Sequence, residues 1–169
     1  MKRVLIIGNA GAGKTTFARK LAEKTGLPLV HLDQIYWCGT WEHLSREEFD
    51  AALQTELERP EWILDGNFNR TFAYRLNYCD TVFFFDLPTL TCLAGITKRL
   101  ITHYGRSRAD MGGTCVERFD AQKWSLYRNV ISFNKQHRRE YYELLAAAGH
   151  ARSIVFRSRR QAARFLQSM

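Results

Sequence analysis

The sequence predicts an α/β fold in which a parallel sheet is covered by helices on both faces, and three observations carry that expectation. Short runs of apolar, β-branched and aromatic residues alternate with helical segments along the chain. The first joint between strand and helix is Gly8-Asn9-Ala10-Gly11-Ala12-Gly13-Lys14-Thr15, a complete G-x-x-x-x-G-K-[ST] phosphate-binding loop. Two apolar runs, Trp62-Ile63-Leu64-Asp65 and Val82-Phe83-Phe84-Phe85-Asp86, end in aspartate, and ligands in such sheets gather at the carboxyl ends of strands. The 169 residues suffice for one domain with a real core, so 1–169 reads as a single unit.

Each element has a local reason. Lys2–Ile7 is the first strand, buried on both faces by its continuous Val4-Leu5-Ile6-Ile7 run. Lys14–Lys24 follows as a helix and stops at Gly26-Leu27-Pro28. Leu29–Leu32 is a second short strand. Ser45 and Glu48 have capping-box spacing and open a helix to about Glu58, before Pro60. Trp62–Leu64 and Thr81–Phe85 are strands three and four. A helix runs from Thr89 to about His103, and a Gly- and Arg-rich stretch covers 104–120. A long helix spans Ala121 to Ala148 and ends at Gly149. Ser153–Phe156 and Arg160–Gln167 supply a last strand and helix.

Composition narrows the class. Hydrophobic residues make up 46%, a soluble globular value, and no run approaches the roughly 20 apolar residues of a membrane span. Met1-Lys2-Arg3 and the apolar run after it lead straight into the phosphate loop, too soon for a signal peptide. Cys38, Cys79, Cys92 and Cys115 have neither zinc nor disulfide spacing, which points to free thiols and a cytoplasmic location. The net charge of +8 is uneven: residues 1–97 carry −2 and residues 98–169 carry +10. A basic half suits a polyanionic partner, nucleotide or nucleic acid alike.

The loop defines the first candidate site. Gly8, Gly11 and Gly13 let the chain approach phosphate oxygens, while the N–H groups from Asn9 through Thr16 and the helix N-terminus face an anion together. Lys14 is expected at the β- and γ-phosphates of ATP, and the Thr15 hydroxyl on Mg²⁺. Asp65 and Asp86 are further candidates for the metal shell, because Mg²⁺ takes oxygen ligands and retains several waters. Asp33, just past the second strand, is placed to accept or orient the proton of an acceptor hydroxyl, with His31 beside it. Asp65, Gly66 and Arg70 are expected on the acceptor, Arg70 as a guanidinium fork for an acceptor phosphate. Tyr36, Trp37 and Trp41 read equally as core or as a stacking surface. In 104–120, Arg106 and Arg108 lead a set including Arg99 and Arg118, and Gly105, Gly112 and Gly113 make the segment read as a mobile lid. Arg128 lies close enough in sequence to reach phosphate, and Arg157–Arg160 reads as a loop beside the nucleotide base or as plain surface with Ser158 as a helix cap.

With these residues in place, the chain resembles the adenylate-kinase-like P-loop kinases, and most closely the bacterial DNA topology modulation proteins. The resemblance rests on Ile6–Thr15, Leu29–Asp33, Trp62–Phe68, Cys79–Pro88, Gly105–Met111 and Val155–Arg160. It implies a three-layer nucleoside-monophosphate-kinase-like fold with a five-stranded parallel sheet in the order 2-3-1-4-5 and a lid, with ATP and Mg²⁺ at the phosphate loop. Asp65-Gly66 and Arg70 look like the D-G-F-P-R segment of adenylate kinases, one residue longer here. The T-G-D-M-L-R-type segment is replaced by His31-Leu32-Asp33-Gln34-Ile35-Tyr36, and no four-cysteine lid is present. These departures leave the acceptor open. The leading expectation is transfer of the ATP γ-phosphate to a nucleotide or other small metabolite. A nucleic-acid-associated nucleotide-binding protein and a regulator without turnover are the alternatives.

Overall fold

The computed structural model describes residues 1–39 and 41–169. Strand β1 (Arg3–Gly8) enters the phosphate loop, and α1 (Lys14–Thr25) leaves it. Then come β2 (Leu29–His31), the one-turn helix α2 (Leu32–Tyr36), a hairpin of β3 (Trp37–Cys38) and β4 (Glu42–His43), and α3 (Arg46–Leu57). Next are β5 (Trp62–Asp65), a 3-10 turn (Asn69–Thr71) continuing into α4 (Phe72–Leu76), β6 (Thr81–Phe85) and α5 (Thr89–Thr102). The chain ends with α6 (Ala121–Ala147), β7 (Arg152–Phe156) and α7 (Arg159–Gln167).

The main sheet has five strands in the order β2-β5-β1-β6-β7. Counting only its own strands, this is the expected 2-3-1-4-5. All four pairings are parallel, with Leu5 opposite Leu64 on one side and Val82 on the other. Side chains alternate across the pleat. Leu5, Ile7, Leu64 and Phe84 therefore join one apolar core, under α3 and α4, and Val4, Ile6, Ile63 and Phe83 join the other, under α1, α5 and α7. Both faces are dry, which is why the central strands read as unbroken apolar runs. No helix among the described residues is long and apolar enough to cross a membrane.

Local signals explain most boundaries. Gly26 takes φ +72° and closes α1 by donating its N–H to the Ala22 carbonyl. Ser45 and Glu48 form the reciprocal capping box at the start of α3. Asp120 caps α6 and Ser158 caps α7. The second strand is one residue shorter than expected, because Leu32 turns inward as the first residue of α2.

Segment 104–120 folds back across the mouth of the sheet. Tyr104 and Ser107 make isolated bridges to Glu117 and Val116. Gly112 donates its N–H to the Asp33 carbonyl at 3.2 Å, and the Thr114 N–H reaches Gly39 at 2.8 Å. A Cβ on Gly112 would stand 1.9 Å from the Trp37 carbonyl oxygen, and one on Gly113 2.2 Å from that of Gly39. These two glycines, expected to confer mobility, serve close packing against α2 and β3.

Candidate functional site

The carboxyl ends of β1, β2 and β5 open into one cleft of about 1630 Å³ that runs from the phosphate loop to segment 104–120. The loop is shaped by its backbone. Gly8, Gly11 and Gly13 have φ of +134°, +76° and +104°, a region that favours glycine. Gly11 also packs on α5, where an added Cβ would meet the Cys92 carbonyl oxygen at 2.3 Å, and a Cβ on Gly95 would meet the Gly11 oxygen at 2.1 Å. Asn67 accepts the Gly8 N–H at 2.9 Å, and Asn9 anchors the loop to α6 through the Val130 carbonyl. Ala10 and Thr16 line the cleft, and Ala12 is buried beneath it.

Lys14 follows the last loop glycine and turns back over the loop. Its Nζ donates to the carbonyls of Gly8 at 2.7 Å and Asn9 at 3.0 Å. Burial pushes its pKa down, with Asp65 and Asp33 opposing that shift. Thr15 donates its hydroxyl to Asp65 Oδ2 at 2.7 Å. His31 Nδ1 lies 3.1 Å from the same oxygen, an arrangement that suits a protonated Nδ1. Asp65 Oδ1 is buried without a partner.

An orphaned carboxylate oxygen beside a threonine hydroxyl and a phosphate loop fits Mg²⁺. The described residues contain no cluster of three or more His, Cys, Asp or Glu able to hold a metal. Mg²⁺ is commonly held by one or two protein oxygens together with substrate phosphate and water, a number that Thr15 and Asp65 can supply.

Across the cleft, Asp33 stands at the start of α2 and is half-buried. Burial first, then the Asp65 charge, pushes its pKa up to about 6, against the pull of Arg108 and Lys14. Arg108 lines the same space from segment 104–120, with Asp110 Oδ2 at 2.8 Å and Glu117 Oε1 at 3.0 Å. Glu117 is 1% exposed and also pairs with Lys123 and, at 3.5 Å, with Arg99. Burial works to raise the Glu117 pKa, but these three cations outweigh it and hold it below its usual range.

Several expected contacts fall elsewhere. Arg70 lies on the exposed surface in a two-pronged pair with Asp50 at 2.6 and 2.8 Å, because the 3-10 turn that carries it faces α3. Asp86 ends its strand as expected but is taken by α6, accepting from Arg138 and Tyr142 at 2.8 Å each. That pairing turns it away from the cleft and from any metal shared with Thr15. Arg106 is exposed and holds its strand-like turn only through its backbone. Arg118 and Arg128 are exposed outside the cleft lining. Tyr36, Trp37 and Trp41 all line the cleft, and Tyr36 also packs against the apolar core.

The side-chain roles of three supporting residues escaped the sequence reading, which placed Arg159 only in a loop beside the base or on plain surface. Arg159 at the start of α7 donates to the loop carbonyls of Gly11 at 2.7 Å and Ala12 at 3.3 Å, and to Thr91. Arg75 is fully buried and donates to the carbonyls of Gly66, Asn67 and Phe68; burial pushes its pKa down to about 10. Glu117 looked like one more charge in a mixed loop. Gly95 did carry a legible signal, since a glycine inside a helical pattern commonly marks close packing.

Fold and loop together define the class: a P-loop protein with the nucleoside-monophosphate-kinase-like architecture. The comparisons with known proteins agree at that level. An isopentenyl transferase family model matches residues 1–69, the stretch from Met1 to the start of the 3-10 turn at Asn69. No curated protein matches in sequence. A gluconokinase from Sinorhizobium meliloti 1021 superposes with a TM-score of 0.58 at 12% identity, covering 98% of this chain and 87% of that one. A shikimate kinase from Bacteroides thetaiotaomicron gives 0.58 at 15% identity, covering 99% and 95%. The shikimate-bound shikimate kinase from Acinetobacter baumannii gives 0.54 at 18%, covering 99% and 92%. At these identities the likeness is one of fold.

Proposed function

We propose that this protein is an ATP-dependent phosphotransferase that moves the γ-phosphoryl group of Mg-ATP to a small acceptor held beside Asp33. One observation carries the reading. The Thr15–Asp65 pair with its free Oδ1, the Lys14 ammonium and the half-buried Asp33 carboxyl share a single cleft with Arg108. Bound Mg-ATP supplies the phosphoryl donor and a metal that neutralises charge on it. The loop N–H groups and Lys14 hold the β- and γ-phosphates. Thr15 and Asp65 hold the metal shell, and His31 fixes the orientation of Asp65.

Asp33, with a pKa of about 6, is ionised near neutral pH and takes the proton of the acceptor hydroxyl. The acceptor oxygen then forms its bond to phosphorus as the bridging oxygen leaves with ADP. Segment 104–120 acts as the lid, excluding water and bringing Arg108 onto the transferring group. The neighbouring folds whose names are kinases of gluconate and shikimate support small-molecule phosphorylation as the reaction class.

The isopentenyl transferase match favours a second reading, in which an isopentenyl group moves instead. The resemblance to DNA topology modulation proteins and the basic second half favour a nucleic-acid role. Against that, Arg99, Arg108, Lys123, Arg138 and Arg159 of the basic half are engaged within the fold. The test is ADP release from Mg-ATP across nucleosides, nucleoside monophosphates and hydroxylated metabolites, with Lys14→Ala as the blank. Acceptor-dependent release above the blank supports a kinase. Release that no acceptor raises, together with turnover of an isopentenyl donor or strongly salt-dependent DNA binding, transfers the assignment to the corresponding alternative.

A further inference from the structure

Arg75 of α4 has no exposed surface, and its guanidinium pairs with backbone rather than with a carboxylate. Burial lowers its pKa only to about 10, so it stays charged at neutral pH. A guanidinium rarely sits this deep without a counter-charge, because taking it out of water is costly. Three carbonyl dipoles stand in for one here. Nη1 donates to Gly66 at 3.0 Å, and Nη2 donates to Asn67 and, at 3.3 Å, to Phe68. All three carbonyls belong to the segment that follows Asp65 at the end of β5.

Segment 66–68 has a shape that needs such a clamp. Gly66 has φ +146° and Phe68 φ +37°, the latter a left-handed conformation that a bulky side chain seldom takes. Each residue then meets a different part of the cleft. Gly66 packs on Leu32, the residue before Asp33, where an added Cβ would stand 2.9 Å from the Leu32 Cβ. Phe68 stacks on Phe49 at 4.7 Å and lines the cleft. Between them, Asn67 Oδ1 accepts the Gly8 N–H at 2.9 Å. Gly8 is where β1 becomes the phosphate loop, and its carbonyl receives Lys14 Nζ at 2.7 Å. One buried side chain thus holds the stretch of chain that reaches the loop, its lysine and the base of α2.

We infer that Arg75 and Asn67 are positioning residues that set the phosphate loop for nucleotide. Arg75 fixes the backbone of 66–68, and Asn67 carries that placement to Gly8 through one hydrogen bond. Both act through Gly8 rather than on the reacting atoms. The role rests on the phosphotransfer reading above.

Asn67→Ala and Asn67→Asp separate placement from plain folding: the first deletes the accepting oxygen, and the second keeps one. Amide hydrogen exchange followed by ¹⁵N NMR is expected to be at least tenfold faster at Gly8 in Asn67→Ala, with Val4–Ile7 unchanged. In Asn67→Asp it is expected to return toward the parent rate. Affinity for Mg-ADP, measured by calorimetric titration, is expected to fall at least tenfold in Asn67→Ala while the melting temperature stays close to the parent's. Arg75→Lys keeps the charge and loses the planar fork, so the same two losses are expected; if it does not fold, the Asn67 pair decides. Unchanged Gly8 exchange in Asn67→Ala overturns the inference, and so does faster exchange spread evenly over β1, the mark of a general loss of stability. Faster Gly8 exchange with unchanged Mg-ADP affinity overturns it as well. A parent that binds no Mg-ADP removes the phosphotransferase reading and this inference together, whereas failure of this inference alone requires a parent that binds.

Discussion

In the proposed reaction, Asp33 is the residue on which the chemistry turns. Its pKa of about 6 arises from burial and from Asp65 across the cleft. The kcat/KM profile is therefore expected to rise through pH 6 as the carboxylate forms, and Asp33→Asn is expected to lose about 10²- to 10⁴-fold in kcat and that rising limb. The same shift has a stability consequence of opposite sense. A carboxyl whose folded pKa is raised contributes stability when protonated, below about pH 4, and loses it as pH rises toward 6. Thermal melts above pH 6 should thus find Asp33→Asn more stable than the parent, and an unchanged or lower melting temperature would contradict the burial argument. At this scale the sequence was a partial guide. The loop and Asp65 were legible because a fixed motif and a strand end place them. Arg70, Asp86 and Arg106 were not, because Asp50, Arg138 with Tyr142, and the outward turn of 104–107 are long-range or rotational facts that spacing does not encode.

Between elements, the phosphate loop is held from outside. Its apex packs glycine against helix at Gly11 and Gly95, and Arg159 of α7 grips two of its carbonyls. Gly95→Ala forces a methyl onto the Gly11 oxygen, so the loop must shift. Overpacking of this kind costs about 1–3 kcal/mol, and nucleotide affinity measured by titration is expected to fall at least tenfold. Arg159→Ala is expected to weaken ATP binding with a smaller change in melting temperature, since this side chain is exposed. The main strands, α1, α3 with its capping box, α5 and α6 were all readable, because each has a long periodic pattern or a cap. The one-turn α2, the β3–β4 hairpin and α4 were not. They span two to five residues each, too few for a period to show, and tertiary contacts fix them.

Over the whole molecule, charge is gathered where the nucleotide is expected. Glu117 sits 1% exposed among Arg99, Arg108 and Lys123 and ties segment 104–120 to α5 and α6. Glu117→Gln leaves three cations facing one another. Breaking a buried pair of this kind costs roughly 3–5 kcal/mol, so both the melting temperature and acceptor-stimulated kcat should drop, the latter more than KM for ATP changes. The +10 of residues 98–169 was visible in the sequence, but its partial use inside the cleft was not, because only the fold brings 99, 108, 117 and 123 together. The central claim is transfer of a phosphoryl group, and following the γ-phosphorus of Mg-ATP by ³¹P NMR in the presence of nucleosides, nucleoside monophosphates and hydroxylated metabolites tests it most directly. The account predicts a phosphorylated acceptor formed in equal amount to ADP and abolished by Lys14→Ala. Inorganic phosphate as the only new signal, or ATP left intact with every acceptor, would contradict it.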